Sequence, residues 1–420
     1  VIINPIQGPG DPAGALIPHL FRLEFTRIVA VLSKLFGLEH IGIAEDIAGE
    51  TFLSALEIWP YKGLPPNPTA WLYAIAKNKA RNYLHRDRIF MEKVMPALKQ
   101  GLDGTTEMEI DLSERNIADS QLQMLFAVCH PSLSTEAQIC LALRILCGFG
   151  IGEIATAFLT NKETINKRLF RAREKLRAGQ TMITLPAAAE PGQRLDSVLL
   201  TIYLLFSEGY YSESRDEVLR EDLCGEAMRL THLLMADEST HLPAVDALYA
   251  LMCFHASRFP ARKGENGEMI LYAEQDETLW DRELITRGAY HLQQAARGAV
   301  LSRYHLEASI AYWHTIKTDS TGKWENILQL YNQLLTLAYS PIAALNRTFA
   351  LSKARGPAEA ITAAEKLQLT DNPYYYMLLG ELYKEIDKIQ AITHLQKAHS
   401  LARTLADKRA IEKGMKRLEA

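Results

Sequence analysis

The sequence predicts an all-α fold. Strand-like alternation is scarce along its 420 residues. Apolar residues instead return every three or four positions, the spacing of one helix face. Glycine and proline punctuate these runs rather than interrupting them. Apolar residues make up 48% and charged residues 23%, ordinary values for a globular chain. That balance excludes wholesale disorder and collagen-like or mucin-like chains. At roughly 100–200 residues per domain, the length predicts two to four domains. No run of eighteen apolar residues occurs, so no membrane-spanning helix is expected. Val1-Ile2-Ile3-Asn4-Pro5 is not a basic region followed by an apolar stretch, so no signal peptide is expected. Cys129, Cys140, Cys147, Cys224 and Cys253 form no C-x-x-C pair. They read as reduced, buried thiols of a cytoplasmic protein rather than a disulfide framework or zinc site.

Each element follows from its spacing. Phe21, Phe25, Ile28, Leu32 and Leu35 make one face of a helix that ends near Gly37. Ala48, Phe52, Ala55 and Trp59 repeat the pattern, while Asp46, Glu50, Leu53 and Glu57 form an opposite, acidic face. Pro60 is expected to stop this helix, and Gly63, Pro65, Pro66 and Pro68 to keep the connection irregular. A third helix is expected from Trp71 to about Arg88, apolar through Leu72, Ile75, Ala76 and Tyr83. Its polar side carries Lys77, Asn78, Lys79, Arg81, Asn82, Arg86 and Arg88. Residues 91–119 are weakly periodic and acidic, and read as a flexible linker. Periodicity resumes at Leu122. Ile151, Ile154, Ala155 and Phe158 mark a short helix, and Asn161 suits the N-cap of the next. In that helix Ile165, Leu169, Ala172 and Leu176 form the buried stripe. Thr164, Lys167, Arg168, Arg171 and Lys175 stand opposite, with Lys162, Asn166 and Arg173 alongside.

Net charge is −4 overall, but its distribution is uneven. Residues 61–99 hold eight cations against two carboxylates, and residues 161–185 hold seven against two. An acidic stretch separates these blocks. Either a polyanion is touched at two places, or both blocks are solvated helix faces. The second block has helix-turn-helix form, in which the second helix enters the major groove and its cations and amides meet base edges or phosphates. An ordinary helical hairpin with a wet basic face is the bland alternative. In the first block, Trp59, Tyr61, Trp71, Tyr73 and Tyr83 interleave with Lys62 and the cations above. Aromatic faces stack unpaired bases while cations track the backbone, although Trp59 and Trp71 also lie on apolar stripes.

Three stretches carry a family resemblance. They are Glu45-Asp46-Ile47-Ala48-Gly49-Glu50-Thr51-Phe52-Leu53-Ser54-Ala55-Leu56, then Ala70-Trp71-Leu72-Tyr73-Ala74-Ile75-Ala76-Lys77-Asn78, then Ile154-Ala155 with Thr164-Ile165-Asn166-Lys167-Arg168-Leu169-Phe170-Arg171-Ala172-Arg173. In this order and at this spacing the chain resembles bacterial extracytoplasmic-function sigma factors of the sigma-70 family. The resemblance implies region 2 over 14–90, the linker over 91–119, and region 4 over 120–185. It implies that Asp46, Glu50, Leu53 and Glu57 meet the β′ clamp helices of core RNA polymerase. Lys62, Trp71, Lys77, Asn78, Lys79, Arg81, Asn82, Arg86 and Arg88 would meet the melted −10 element, with Asn78 and its neighbours holding a flipped base. Lys162, Thr164, Asn166, Lys167, Arg168, Arg171, Arg173 and Lys175 would meet the −35 element, with region 4 on the β flap. Those promoter elements lie ~85 Å apart at ~3.4 Å per base pair, and a linker of about thirty residues reaches ~100 Å. Many members place glycine in the helix-turn-helix turn, where this chain has Leu159. Either the turn differs or Leu159 accepts a strained backbone.

Residues 190–420 also read as helical. Leu199-Tyr203-Phe206, Cys224-Ala227-Leu230-Leu234 and Leu248-Leu251-Cys253 fit buried faces. Leu379-Gly380-Glu381-Leu382-Tyr383 followed by Ala391, Leu395 and Ala398 resembles a tetratricopeptide repeat. With Leu345 to Phe349 that makes two recognisable units, so preceding helices must complete the stack. Phe206-Ser207-Glu208-Gly209-Tyr210, Arg220-Glu221-Asp222-Leu223-Cys224, Glu274-Gln275-Asp276 with Trp280-Asp281, and Ser340 to Arg347 resemble the extension of a sigma group ending in tetratricopeptide-like helices. That resemblance implies regulation in cis, by an unidentified protein or ligand. No H-E-x-x-H, P-loop or G-x-S-x-G motif occurs, so no enzyme activity and no cofactor are expected. The acids around Trp280 read as a hydrogen-bonded loop before a metal site. A helix-turn-helix regulator without a polymerase role, or a repeat scaffold, are the rival readings, but neither accounts for residues 46–88.

Overall fold

Helix follows the apolar periodicity throughout, and no strand occurs among the described residues. The structure is a computed structural model that describes residues 12–86, 110–158, 160–179, 183–185, 191–210, 220–262, 270, 272–402 and 405–419. The chain divides into two units, Val1–Thr201 and Ile202–Ala420.

The first unit opens with helix α1 (Pro12–Phe36), which buries Phe25, Ile28 and Leu32. It ends at Gly37, whose φ of 91° is a left-handed backbone open to glycine. One 3-10 turn leads into α2 (Ile41–Lys62), which buries Ala48, Phe52, Ala55 and Trp59. Contrary to expectation, Pro60 does not stop α2. It sits in the last turn, where the carbonyl deprived of its N–H partner belongs to exposed Leu56 and is open to water. The stop comes at Gly63, whose N–H donates to the Trp59 carbonyl at 3.0 Å. Helix α3 (Pro68–Arg86) starts before Trp71, with Pro68 in its first turn and the Asn67 side chain accepting the Ala70 N–H at 2.9 Å.

Residues 110–119, at the end of the stretch that reads as a linker, are among the described residues. Ile110 and Leu112 are buried, and Ser113 caps helix α4 (Glu114–Val128) by accepting the Asn116 N–H. The acids that read as a tether include Asp111, which accepts hydrogen bonds from the Ser113 N–H and hydroxyl at 2.8 and 3.0 Å. Residues 87–109 lie outside the described residues. Helix α5 (Thr135–Leu141) runs into a π-helical turn, Ala142–Leu146. Helices α6 (Ile151–Ala157) and α7 (Lys162–Ala178) follow. Helix α8 (Pro191–Tyr210) then seals this module. Arg194 donates to the Phe126 carbonyl, Ser197 to the Cys129 carbonyl, and Thr201 to the buried Gln138 side chain, at 2.8–2.9 Å. The division into two units falls inside α8, after Thr201.

In the second unit, α10 (Pro243–Ala256) is the central helix, its residues from Val245 to Phe254 buried. It packs against α9 (Glu221–Met235), α12 (Arg282–Ala295) and α13 (Arg303–Trp313), with α11 (Phe259–Arg262) a single turn. The repeat-like stack comprises α14 (Thr321–Leu337), α15 (Pro341–Arg355), α16 (Pro357–Glu365), α17 (Pro373–Tyr383), α18 (Lys388–Leu401) and α19 (Leu405–Glu419). Gly380 is where α17 and α18 close up. A Cβ there would lie 2.8 Å from Leu395. Gly49 on α2 has open space at the same position. Gly380→Ala is therefore expected to destabilise by ~1–3 kcal/mol through overpacking. Gly49→Ala is expected to stabilise by ~0.5–1 kcal/mol through helix propensity. Denaturant unfolding of the two variants checks both signs.

Candidate polymerase and promoter-DNA interface

The outer face of α2 is acidic and apolar together. Asp46, Glu50, Leu53 and Glu57 are all exposed, and Leu53 retains 57% of its surface. Sequence reasoning missed Leu56 and Tyr61, which extend the stripe. Leu56 is half exposed and Tyr61 89% exposed. The signal was present, because both continue the three-to-four spacing from Leu53. Leu53 and Leu56 thus leave two leucines bare on the outer side of one helix. Glu50 also ion-pairs with Lys79 of α3 at 3.0 Å.

Helix α3 buries Leu72, Ala76 and Ala80, which turns Asn78, Arg81 and Asn82 outward on one polar face. Lys62 is exposed, and Lys77 and Lys79 are half-buried. Arg88 lies outside the described residues, as does the side chain of Arg86. The aromatic interleaving has a different meaning from base stacking at most positions. Trp59 is fully buried and meets half-buried Trp71 edge-on at 5.4 Å. Tyr73 donates its hydroxyl to buried Glu24 at 2.6 Å, and Tyr83 packs against Phe36. Burial, reinforced by the Glu24 hydrogen bond, raises the Tyr73 phenol above its ordinary pKa. Tyr61 is the ring of this set left bare.

Helix α7 starts where the sequence places it. Asn161 accepts the Thr164 N–H at 2.7 Å, and Ile165, Leu169, Ala172 and Leu176 are buried. Leu159 lies outside the described residues. Lys162, Asn166, Lys167, Arg171 and Lys175 face outward, and Lys167 pairs with Glu163 one turn back. Thr164 and Arg168 are half-buried, and Arg168 points a guanidinium nitrogen at the Cys140 sulfur, 3.6 Å away. Arg173 turns inward to Glu45 at 2.8 Å. Phe170, also missed, is 66% exposed beside Lys167 and Arg171. An unburied phenylalanine on a basic helix suits apolar contact with a thymine methyl.

Glu45 takes two arginines from region 4. Its side chain is 10% exposed. One oxygen accepts from Arg144 Nε at 3.0 Å and the other from Arg173 Nη2 at 2.8 Å. Arg177 donates to the Glu39 carbonyl at 3.0 Å, and Arg27 pairs with Glu114 at 3.2 Å.

The five cysteines are free and buried, and burial pushes the Cys129, Cys224 and Cys253 thiols up to about 12. Among the described residues no group of histidine, cysteine or carboxylate side chains is arranged to hold a metal. Around Trp280, Asp276 accepts from the Thr278 N–H, Asp281 caps Leu284, and Glu274 meets Lys413 and Arg417. These are the bonds of a loop between helices. No helix among the described residues is long and apolar enough to cross a membrane.

Comparison with known proteins agrees with this geometry. Residues 20–89 match Sigma-70 region 2, residues 123–176 match Sigma-70 region 4, and residues 194–296 match a family of unknown function (DUF6596). An uncharacterized protein of Rhizobium meliloti (strain 1021) is 33% identical over 371 residues, 86% of this chain and 87% of that protein. The ECF RNA polymerase sigma-E factor of Haemophilus influenzae is 31% identical over 136 residues, 31% of this chain and 71% of that protein. No solved structure matches the chain. With regions 2 and 4 in order and a helical extension behind them, the chain belongs to the ECF sigma factors of the sigma-70 family, alternative sigma factors that bind core RNA polymerase and direct transcription initiation at promoters.

Proposed function

We propose that the outer face of α2 is the docking surface for the β′ clamp helices, through Asp46, Glu50, Leu53 and Glu57 together with Leu56 and Tyr61. In the same reading α3 holds the melted −10 strand with Asn78, Arg81 and Asn82. Helix α7 lies in the −35 major groove with Asn166, Lys167, Phe170 and Arg171 towards base edges, and region 4 also meets the β flap. The observation that carries this is the pair of outward polar faces on α3 and α7, each backed by a fully buried apolar stripe. Lys79 and Arg173 are tied to Glu50 and Glu45, while Asn78, Arg81, Asn82, Asn166 and Arg171 face outward. The work is binding rather than covalent chemistry, as in the sigma family. It takes place where polymerase and chromosome are, in the cytoplasm.

Run-off transcription with purified core polymerase tests each contact separately. Replacing Leu53 and Leu56 by Ala removes two bare apolar side chains, worth ~1.5–3 kcal/mol each if fully buried on docking. Core affinity is expected to fall at least about tenfold, with helicity intact. Replacing Lys167 and Arg171 by Ala is expected to leave core affinity in place. It should cut −35-dependent transcription by about one to two orders of magnitude, since each good base contact is worth ~1–3 kcal/mol. Unchanged transcription from this second variant would remove α7 from the reading. Lys175→Ala should weaken binding to all promoters alike, reducing the salt slope by ~1.

The second unit is proposed to regulate the first in cis. Supporting this, α8 is one unbroken helix that supplies Arg194, Ser197 and Thr201 to region 4, then Leu205, Phe206 and Tyr210 to the following core. A chain ended after residue 210 keeps the region 4 contacts. Its transcript yield should differ from that of the full chain at equal concentration. Equal yields would argue against regulation in cis.

A further inference from the structure

We infer that the second unit carries a binding site for a small oxyanion, a phosphate or a carboxylate, built from Arg258 and Lys323 around the Tyr272 ring. The site deepens the reading of this unit as a regulator in cis, and only its regulatory consequence rests on that reading.

Burial and charge carry the argument. Tyr210, Gln275 and Trp280 come from stretches that resemble the sigma-factor extension and that the polymerase and promoter surfaces leave unused. They gather with two cations from elsewhere in the unit. Arg258, just before α11, is 8% exposed, and Lys323, in the first turn of α14, is 3% exposed. Both charges lie 5.5 Å from the centre of the Tyr272 ring, which stacks beside Trp280 at 6.2 Å. A buried cation is costly unless an anion stands beside it. Among the described residues no carboxylate forms an ion pair with either. The carboxylate that acts on Lys323 is Asp319, which is exposed, accepts the Trp324 indole N–H and lies 3.9 Å from Lys353. The first turn of α14 is also the positive end of its helix, where a cation is unfavourable. Hydrogen bonds within the fold do not account for the cluster either. Lys317 beside it is fully occupied, donating to the Tyr272, Ala273 and Gln275 carbonyls at 2.8–3.1 Å. Lys323 is not. It donates to the Ile316 carbonyl at 2.6 Å and the Tyr272 hydroxyl at 3.2 Å, and an ammonium has a third N–H. Arg258 donates to the Tyr210 hydroxyl at 2.9 Å, while its Nε is buried without a partner. The Trp280 indole N–H is buried without a partner as well. Orphaned buried donors cost free energy that an acceptor offsets. Two cationic donors and an indole N–H around one tyrosine form the donor set of an oxyanion, and a guanidinium takes carboxylate or phosphate by the same fork. The Gln275 side-chain oxygen is a buried acceptor without a partner, which suits a hydroxyl on the ligand. His314, edge-on to Tyr272 at 5.2 Å, is pushed down to about 3 by burial and then by the Arg258 and Lys323 charges. It stays neutral and leaves the two cations to set the charge of the site.

Calorimetric titration of the full chain with inorganic phosphate, at constant ionic strength in chloride, reads the site without DNA or polymerase. Saturable binding of a single phosphate per chain is expected. The unfolding temperature of the second unit should rise by about 5–10 °C at a hundredfold excess over Kd. Lys323→Met and Arg258→Met each remove a charge-assisted bond while keeping much of the side-chain volume. Each should weaken binding at least about tenfold. Trp280→Phe keeps a ring against Tyr272 and removes the indole N–H. It should fold as the unsubstituted chain does and bind about threefold to tenfold more weakly. Malonate and sulfate run in parallel separate the two ligand sources. Saturable malonate binding that the same variants weaken, in place of phosphate binding, would keep the site and assign it to a carboxylate. No saturable binding of phosphate, sulfate or malonate would overturn the site. So would equal phosphate affinity in the unsubstituted chain and all three variants, which would put the anion elsewhere. Run-off transcription with and without saturating phosphate then reads the regulatory consequence. An unchanged yield would count against regulation in cis and leave the binding site standing.

Discussion

Everything in the first unit depends on the burial of α1 from more than one side. Ile28, Val29, Ala30 and Leu32 have no exposed surface, although successive residues of a helix point in different directions. Helices α2 and α3 cover one side, and α4 with the π-helical turn covers another. Each enclosed side chain of this size contributes ~1.5–3 kcal/mol by leaving water. The acid and hydroxyl on α1 are handled accordingly. Glu24 is buried but takes the Tyr73 hydroxyl and the Arg27 guanidinium, and Thr26 bonds back to the Leu23 carbonyl. A helix so placed fixes the angle at which α2 and α3 present their outer faces. The outer faces proposed for polymerase and the −10 element are therefore set by a residue pattern that belongs to neither face.

This also explains which parts of the sequence were legible. Phe25, Ile28 and Leu32 declared one face of α1 by spacing alone. Val29, Ala30, Val31 and Ser33 lie off that face and are buried as well, because their cover comes from residues some ninety positions later. The cap and the buried stripe of α7 were legible, since both are local. The aromatics of residues 59–83 were not. Whether a tyrosine stacks a base or ties down a carboxylate depends on what stands opposite, and Glu24 lies 49 residues from Tyr73. Pro60 misled for a related reason. A proline near a helix end costs only the hydrogen bond it removes, and water replaces that bond where the carbonyl is bare.

Arg173 shows the same limit within a helix that was otherwise read correctly. Spacing places it at the margin between the buried stripe and the outer face, where its long stem can swing to either side. Its partner is a carboxylate 128 residues earlier. Arg168 is comparable, half-buried and turned to Cys140 on α5. Positions in the middle of the face, such as Lys167 and Arg171, have no such choice. The outward polar face of α7 is therefore narrower than its count of cations, and the marginal ones serve the fold.

A marginal cation that turns inward needs a carboxylate placed to receive it, as Glu45 receives Arg173. A carboxylate enclosed at 10% exposure with two guanidiniums is costly to desolvate, and removing one partner leaves an uncompensated charge. Apolar side chains of similar volume would hold two helices together without that cost. Glu45 offsets the cost by taking one guanidinium on each oxygen, Arg144 from the π-helical turn and Arg173 from α7, so the pairing fixes which side of α7 turns towards α2.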